Sequence, residues 1–95
     1  MRIQPGQRDT VIGILIGVSS RMPGCLSYIL AKDPQDPDLV WATEVWESQA
    51  SHDASFSLPA VIDAVSAAKP LVVGMESRVV TTPVGGFGIS IGGQF

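Results

Sequence analysis

The sequence predicts an α+β domain in which one antiparallel sheet carries two helices on one face. Three observations lead there. The chain has 95 residues, enough for one domain. Apolar residues make up 45% and charged residues 16%, which excludes a disordered tail or linker. Apolar segments separated by Pro/Gly turns follow the order strand, helix, hairpin, helix, strand. The simplest compact form of that order is a ferredoxin-like βαββαβ protomer over residues 1–82, followed by a glycine-rich tail over 83–95.

Each element has a local reason. Met1 to Gln4 reads as a short strand stopped by the Pro5-Gly6 turn. Thr10 to Met22 contains the β-branched run Val11 to Val18, compatible with a buried strand, yet its length favours a helix. As a helix it would align Val11, Leu15, Val18 and Met22, with Asp9 in the first turn. Gly13 and Gly17 would then permit a close helix approach. Cys25 to Ala31 and Leu39 to Glu47 read as a hairpin around the loop Asp33-Pro34-Gln35-Asp36-Pro37-Asp38. Ser48 to Ala54 has room for one or two helical turns. Ser57 as cap, with Pro59 in the first turn, opens a helix whose stripe is Leu58, Val61, Ile62, Val65 and Ala68. Leu71 to Thr82 reads as the last strand, and the tail glycines as turns that let Phe87 to Ile91 add a short edge strand, to its own sheet or to a partner chain.

Composition also bounds function. Six basic residues oppose nine acidic ones, and the basic residues are scattered, so no stripe exists to track a phosphate backbone and nucleic acid is not an expected partner. Cys25 is the lone cysteine, which excludes an intramolecular disulfide and a paired-cysteine zinc site. Two prolines and the lack of a closing glutamate argue against calcium in the Asp33–Asp38 loop, so no metal is expected. No signal peptide is visible, and Val11–Val18 is too short to cross a bilayer. A cytoplasmic protein without membrane contact is the expectation.

Strand parity speaks to assembly. Leu39, Trp41, Thr43 and Val45 share one face of their strand, and Val40, Ala42, Glu44 and Trp46 the other. Each face carries a tryptophan, whereas a sheet with one wet face alternates apolar and polar residues. The charged fraction also falls below the ~25% usual for soluble domains. Two helices cover one face, so the other is expected to meet a second copy in a homodimer.

The residues Pro5-Gly6, Pro-Gly-Cys-Leu-Ser-Tyr at 23–28, the Asp/Pro loop and Glu44-Val-Trp46-Glu47 resemble the antibiotic biosynthesis monooxygenase (ABM) domain, over roughly residues 2 to 82. The resemblance implies a ferredoxin-like protomer that dimerises through its sheet into an α+β barrel, and a helix at Val11. It implies a monooxygenase that uses no metal or flavin, acting on a quinol- or anthrone-like aromatic molecule. Such a substrate supplies electrons to dioxygen once it is deprotonated. The pocket then needs aromatic walls and one or two polar groups that accept a proton and stabilise an oxyanion.

Three residues are the polar candidates: His52, Glu44 and Ser55. Family members often carry a histidine nine residues after the tryptophan, which here is Ser55, while the one histidine, His52, lies about one helical turn earlier. Haem-degrading relatives use a histidine and an asparagine, and this chain has no asparagine. Trp46, Tyr28 and Phe56 are the candidate pocket walls, supported by Leu15, Ile62 and Val65 in the core. Each has a plainer reading. His52 is then an exposed polar residue beside Asp53, Glu44 an ion-pair partner of Arg78, Trp46 core, and Tyr28 packing with a polar tip. Cys25 reads as an inert buried thiol. The alternative function is a small-molecule-binding dimer without catalysis, since fold alone does not establish turnover.

Overall fold

A computed structural model describes residues 1–89. The elements are β1 (Arg2–Ile3), α1 (Arg8–Ser19), β2 (Cys25–Lys32), β3 (Val40–Trp46), α2 (Gln49–Ser55), α3 (Pro59–Ala68) and β4 (Val72–Gly74). β1 pairs antiparallel with β4, and β2 with β3. A bridge between Arg2 and Leu39 joins the two ladders. The strands therefore lie in the order β4-β1-β3-β2, the ferredoxin-like arrangement, and Val11 belongs to a helix as the length of its segment required.

β1 is central and only two residues long. Met1 and Val40 exchange both backbone hydrogen bonds, at 2.8 and 3.0 Å, and Ile3 N–H donates to the Asp38 carbonyl at 2.8 Å. Pro5-Gly6 then reverses the chain. Gly6 sits at φ +78° and Gln7 N–H donates to the Gln4 carbonyl, the geometry of a type II turn with proline and glycine at its two central positions. Ile3, Val11 and Val40 form the fully buried core, with Ile12, Leu15, Leu30 and Val72 packed around them.

The hairpin loop is built by its own carboxylates. Asp33 Oδ1 accepts from the backbone N–H of Gln35 and Asp36, and Asp36 Oδ1 accepts from Asp38 N–H, all at 2.9 Å. Trp41 Nε1 donates to the second Asp33 oxygen at 2.9 Å. Arg8 reaches over from α1 and donates to the carbonyls of Asp33, Asp36 and Leu39. The aspartates of this loop serve turns.

Parity behaves as the strand pattern required. Val40 is buried on the helix-covered face, whereas Trp41, Ile29 and Val73 point the other way and stay 46–58% exposed in the single chain. Among the described residues no helix is long and apolar enough to cross a membrane.

Several expectations need correction. β4 covers three residues rather than Leu71 to Thr82. Its neighbour is β1, and among the described residues those from Met75 onward pair with no strand and run on as an arm. α3 buries Val61, Ala64 and Ala68, while Ile62 and Val65 are 48% and 44% exposed and do not support the core. Its cap position is Leu58, without a side-chain bond, because Ser57 closes the preceding turn by donating its N–H to the Ala54 carbonyl. Nothing lies within 4 Å of a methyl placed on Gly13 or Gly17, so neither glycine serves a close helix approach. The expected strand at Phe87–Ile91 extends beyond the described residues, and its first part, 87–89, is a bend.

Gly24 is the glycine that the fold needs. It sits at φ +82°, and a Cβ there would stand 2.7 Å from the Ser51 side chain of α2. Gly24→Ala is expected to cost roughly 1–3 kcal/mol in urea unfolding. Gly13→Ala, on an open helix face, is expected to be neutral or to stabilise by up to about 1 kcal/mol. Equal effects at the two positions would contradict this packing.

Candidate active site

β3 ends at Trp46 and the chain turns at once into α2. Ser48, with extended backbone, caps that helix by accepting the Ser51 N–H at 3.1 Å. The cap fixes where α2 begins, and hence which of its side chains lie over the end of β3. His52 and Phe56, four residues apart, share one face of the helix. His52 meets the Trp46 ring edge-on at 5.4 Å and the Phe56 ring edge-on at 5.3 Å. The imidazole is thus held between two aromatic rings, with its side chain 20% exposed.

One carboxylate orients it. His52 Nδ1 lies 3.0 Å from Asp53 Oδ1, and Gln49 Nε2 donates to the same oxygen at 2.9 Å. The hydrogen-bond network assigns the Nδ1 proton to the contact with Asp53, which leaves Nε2 of the neutral ring as an acceptor. The hydrogen bonds from His52 and Gln49, with a smaller pull from the Arg78 charge, hold the Asp53 carboxyl below its ordinary range.

The sheet supplies the second half of the site. Tyr28 on β2 stands opposite Glu44 on β3. Trp46 Nε1 donates to Glu44 Oε1 at 3.0 Å. Burial, then the negative charges of Glu44 and Cys25, push the Tyr28 phenol up to about 12. Tyr28 therefore stays a neutral hydrogen-bond donor at physiological pH and is no base. Burial likewise raises the Cys25 thiol, whose sulfur contacts the Ser27 carbonyl at 3.5 Å.

A cleft of about 1610 Å³ opens between β3, α2 and the arm, and Tyr28, Glu44, Trp46, His52, Phe56 and Arg78 all line it. Five of the six residues singled out from the sequence therefore share one cavity. Ser55 does not. It is buried on the other side of α2, where its hydroxyl donates to the His52 carbonyl at 2.6 Å, and it lines a separate pocket of about 180 Å³ beside Gly24. Gln49 and Asp53, which orient the histidine, were not read as site residues. The usable signal was their placement beside and one turn before His52 on the same short helix. Arg78 enters from the arm and makes no ion pair with Glu44 among the described residues.

This geometry is an aromatic-walled cleft on a ferredoxin-like α+β protomer, with an oriented imidazole and a neutral phenol. The family model for antibiotic biosynthesis monooxygenase matches residues 1–67. The chain also matches the crystal structure of a protein from Chloroflexus aurantiacus J-10-fl provisionally assigned as an antibiotic biosynthesis monooxygenase. That match has 54% identity and a TM-score of 0.91, and covers 95% of this chain and 92% of the other. A conserved protein from Methanosarcina mazei Go1 shares the fold at 14% identity and TM-score 0.67, covering 78% of this chain and 76% of that one. A protein from Deinococcus radiodurans with the same provisional assignment as the Chloroflexus one does so at 19% identity and TM-score 0.63, covering 85% and 92%. No curated protein matches. The chain belongs to the antibiotic biosynthesis monooxygenase family.

Tyr28 is the one tyrosine of the chain, so tyrosinate absorbance reports on it alone. An unperturbed tyrosine is about three-quarters ionised at pH 10.5. The folded protein is expected to show almost no tyrosinate there, and Glu44→Gln to move the midpoint downward. The folded pKa is raised, so its contribution to stability is complete below about pH 10 and is lost as pH rises toward about 12. A midpoint near 10 in the folded protein would contradict the buried, carboxylate-facing placement.

Proposed function

We propose that the protein is a cofactor-independent monooxygenase acting on a hydroxylated aromatic substrate of the quinol or anthrone class, and that it works as a homodimer. The observation that carries the reading is the oriented imidazole. His52 is clamped between Trp46 and Phe56, its Nδ1 is turned to Asp53, and its Nε2 is left as an acceptor in an aromatic cleft.

In this reading His52 Nε2 removes a proton from the substrate and produces an electron-rich phenolate or enolate. The imidazolium that forms is stabilised by Asp53. Tyr28, a neutral donor at neutral pH, offers its O–H to the substrate oxyanion. Trp46 and Phe56 hold the flat ring, and Glu44 accepts from the Trp46 indole so that this wall keeps its angle. The anion passes electrons to dioxygen. For an anthrone the methylene carbon loses two hydrogens and gains one oxygen atom, and the second oxygen leaves as water. Ser55 takes no chemical part in this scheme.

One observation favours the second reading, a dimer that binds an aromatic molecule without turning it over. Where the family resemblance implies a histidine, the chain has Ser55, buried and committed to its own helix backbone. The family's base is then missing rather than displaced, and His52 is part of the pocket wall.

Oxygen uptake with a panel of quinols and anthrones separates the two. Uptake is expected with at least one, and His52→Ala is expected to lower kcat by about 10²-fold or more. Unchanged turnover in His52→Ala would remove His52 as the base. Tight binding with no oxygen consumed across the panel would favour the binding protein.

A further inference from the structure

Three of the four arginines are committed to the fold. Arg2 bonds to Asp36 and Glu76, Arg8 to three carbonyls of the hairpin loop, and Arg21 to the Gly17 carbonyl at 2.6 Å. Arg78 is the fourth. It lines the cleft from the arm, and among the described residues its guanidinium makes no hydrogen bond and no ion pair. Five N–H donors in a rigid planar fork are left unused there.

The cleft does not lack carboxylates. Glu44, Glu47 and Asp53 line it too. Each already has a donor of its own. Glu44 accepts from the Trp46 indole at 3.0 Å, Glu47 from the Ser51 hydroxyl at 3.5 Å, and Asp53 from Gln49 at 2.9 Å and His52 at 3.0 Å. These acids belong to β3, to α2 and to the turn between them, whereas Arg78 stands on the arm. It is the one lysine or arginine among the described residues that line the cleft. Its charge still reaches the imidazole site. Beneath the larger pulls of His52 and Gln49, it too lowers the Asp53 carboxyl.

A ligand can supply the partner that the fold withholds. In the function proposed above, the flat ring lies against Trp46 and Phe56 with its hydroxyl at His52 Nε2. The cleft runs on from there to the arm, which leaves room for a second group on the ring. The guanidinium fork matches a carboxylate through two parallel N–H···O bonds. One cation offsets one negative charge, and three carboxylates in the same cleft disfavour a dianion such as a phosphate monoester. An aromatic ligand that fills the cleft also excludes water, which strengthens the pair.

We infer that the substrate is an aromatic acid: besides the hydroxyl that His52 deprotonates it carries a carboxylate, and Arg78 binds that carboxylate. The inference rests on the aromatic-substrate reading above and narrows its class. Arg78 selects and orients the substrate and moves no proton.

The binding of two anthraquinones tests this without turnover. Rhein carries two phenolic hydroxyls and a carboxylate. Aloe-emodin has the same ring system with a hydroxymethyl group in place of the carboxylate. Both are already quinones, so neither is oxidised during the measurement, and quenching of tryptophan emission reads each Kd. The wild-type protein is expected to bind rhein roughly tenfold more tightly than aloe-emodin, with a smaller preference at high salt. Arg78→Gln is expected to bind the two alike. Arg78→Lys, which keeps the charge without the fork, is expected to retain part of the preference. Equal Kd values in the wild-type protein need no variant and would overturn the carboxylate subsite while the aromatic cleft stands. A preference that survives Arg78→Gln would overturn it equally. Binding of neither anthraquinone would overturn the aromatic-substrate reading, and the subsite with it.

Discussion

A two-residue strand holds the sheet together. Met1 and Val40 exchange their backbone hydrogen bonds, Arg2 bridges Leu39, and Ile3 enters the core between Val11 and Val40. Without β1 the β1–β4 ladder and the β2–β3 hairpin would be separate pairs, and an isolated hairpin is marginal in water. Arginines reinforce this narrow joint from outside. Arg8 ties α1 to three carbonyls of the hairpin loop, and Arg2 binds Asp36 of that loop at 2.7 Å as well as Glu76 at the start of the arm. The pull of Arg2 keeps both carboxyls below their ordinary range, so these contacts persist at neutral pH and are lost only in acid.

β1 also joins the two ladders to the site. β4 pairs with it over Val72–Gly74 and then continues as the arm. Fold and site are linked through β3, which bonds to Met1 at Val40 and carries Trp46 into the cleft at its other end.

Much of this was legible in the sequence, for physical reasons that differ by element. The hairpin followed from two apolar runs around an Asp/Pro loop, and the two faces of β3 followed from strict alternation. α3 was placed correctly but turned wrongly. It is apolar on most sides, so periodicity could not choose between the stripe of Ile62 and Val65 and that of Ala64 and Ala68. Packing against α1 selected the small residues. The end of β4 was illegible because a strand needs a neighbour, and propensity in Val79, Val80 and Thr81 says nothing about whether one exists. In the site, Trp46 stood out in the Glu44-Val-Trp46-Glu47 run, Tyr28 as the one tyrosine and His52 as the one histidine. The orientation of the imidazole by Asp53 and Gln49 depends on helix phase, which the Ser48 cap fixes. Ser55 was drawn in by its position relative to Trp46, yet helix phase turns it toward the core.

The central claim is that one chain is half of the working unit. Its sheet face, with Ile29, Trp41 and Val73, is uncovered in the single chain, and the proposed homodimer would cover it. Light scattering at micromolar concentration tests this most directly. The account predicts a mass twice that of the 10.0 kDa chain, and a mass equal to the single chain would contradict it.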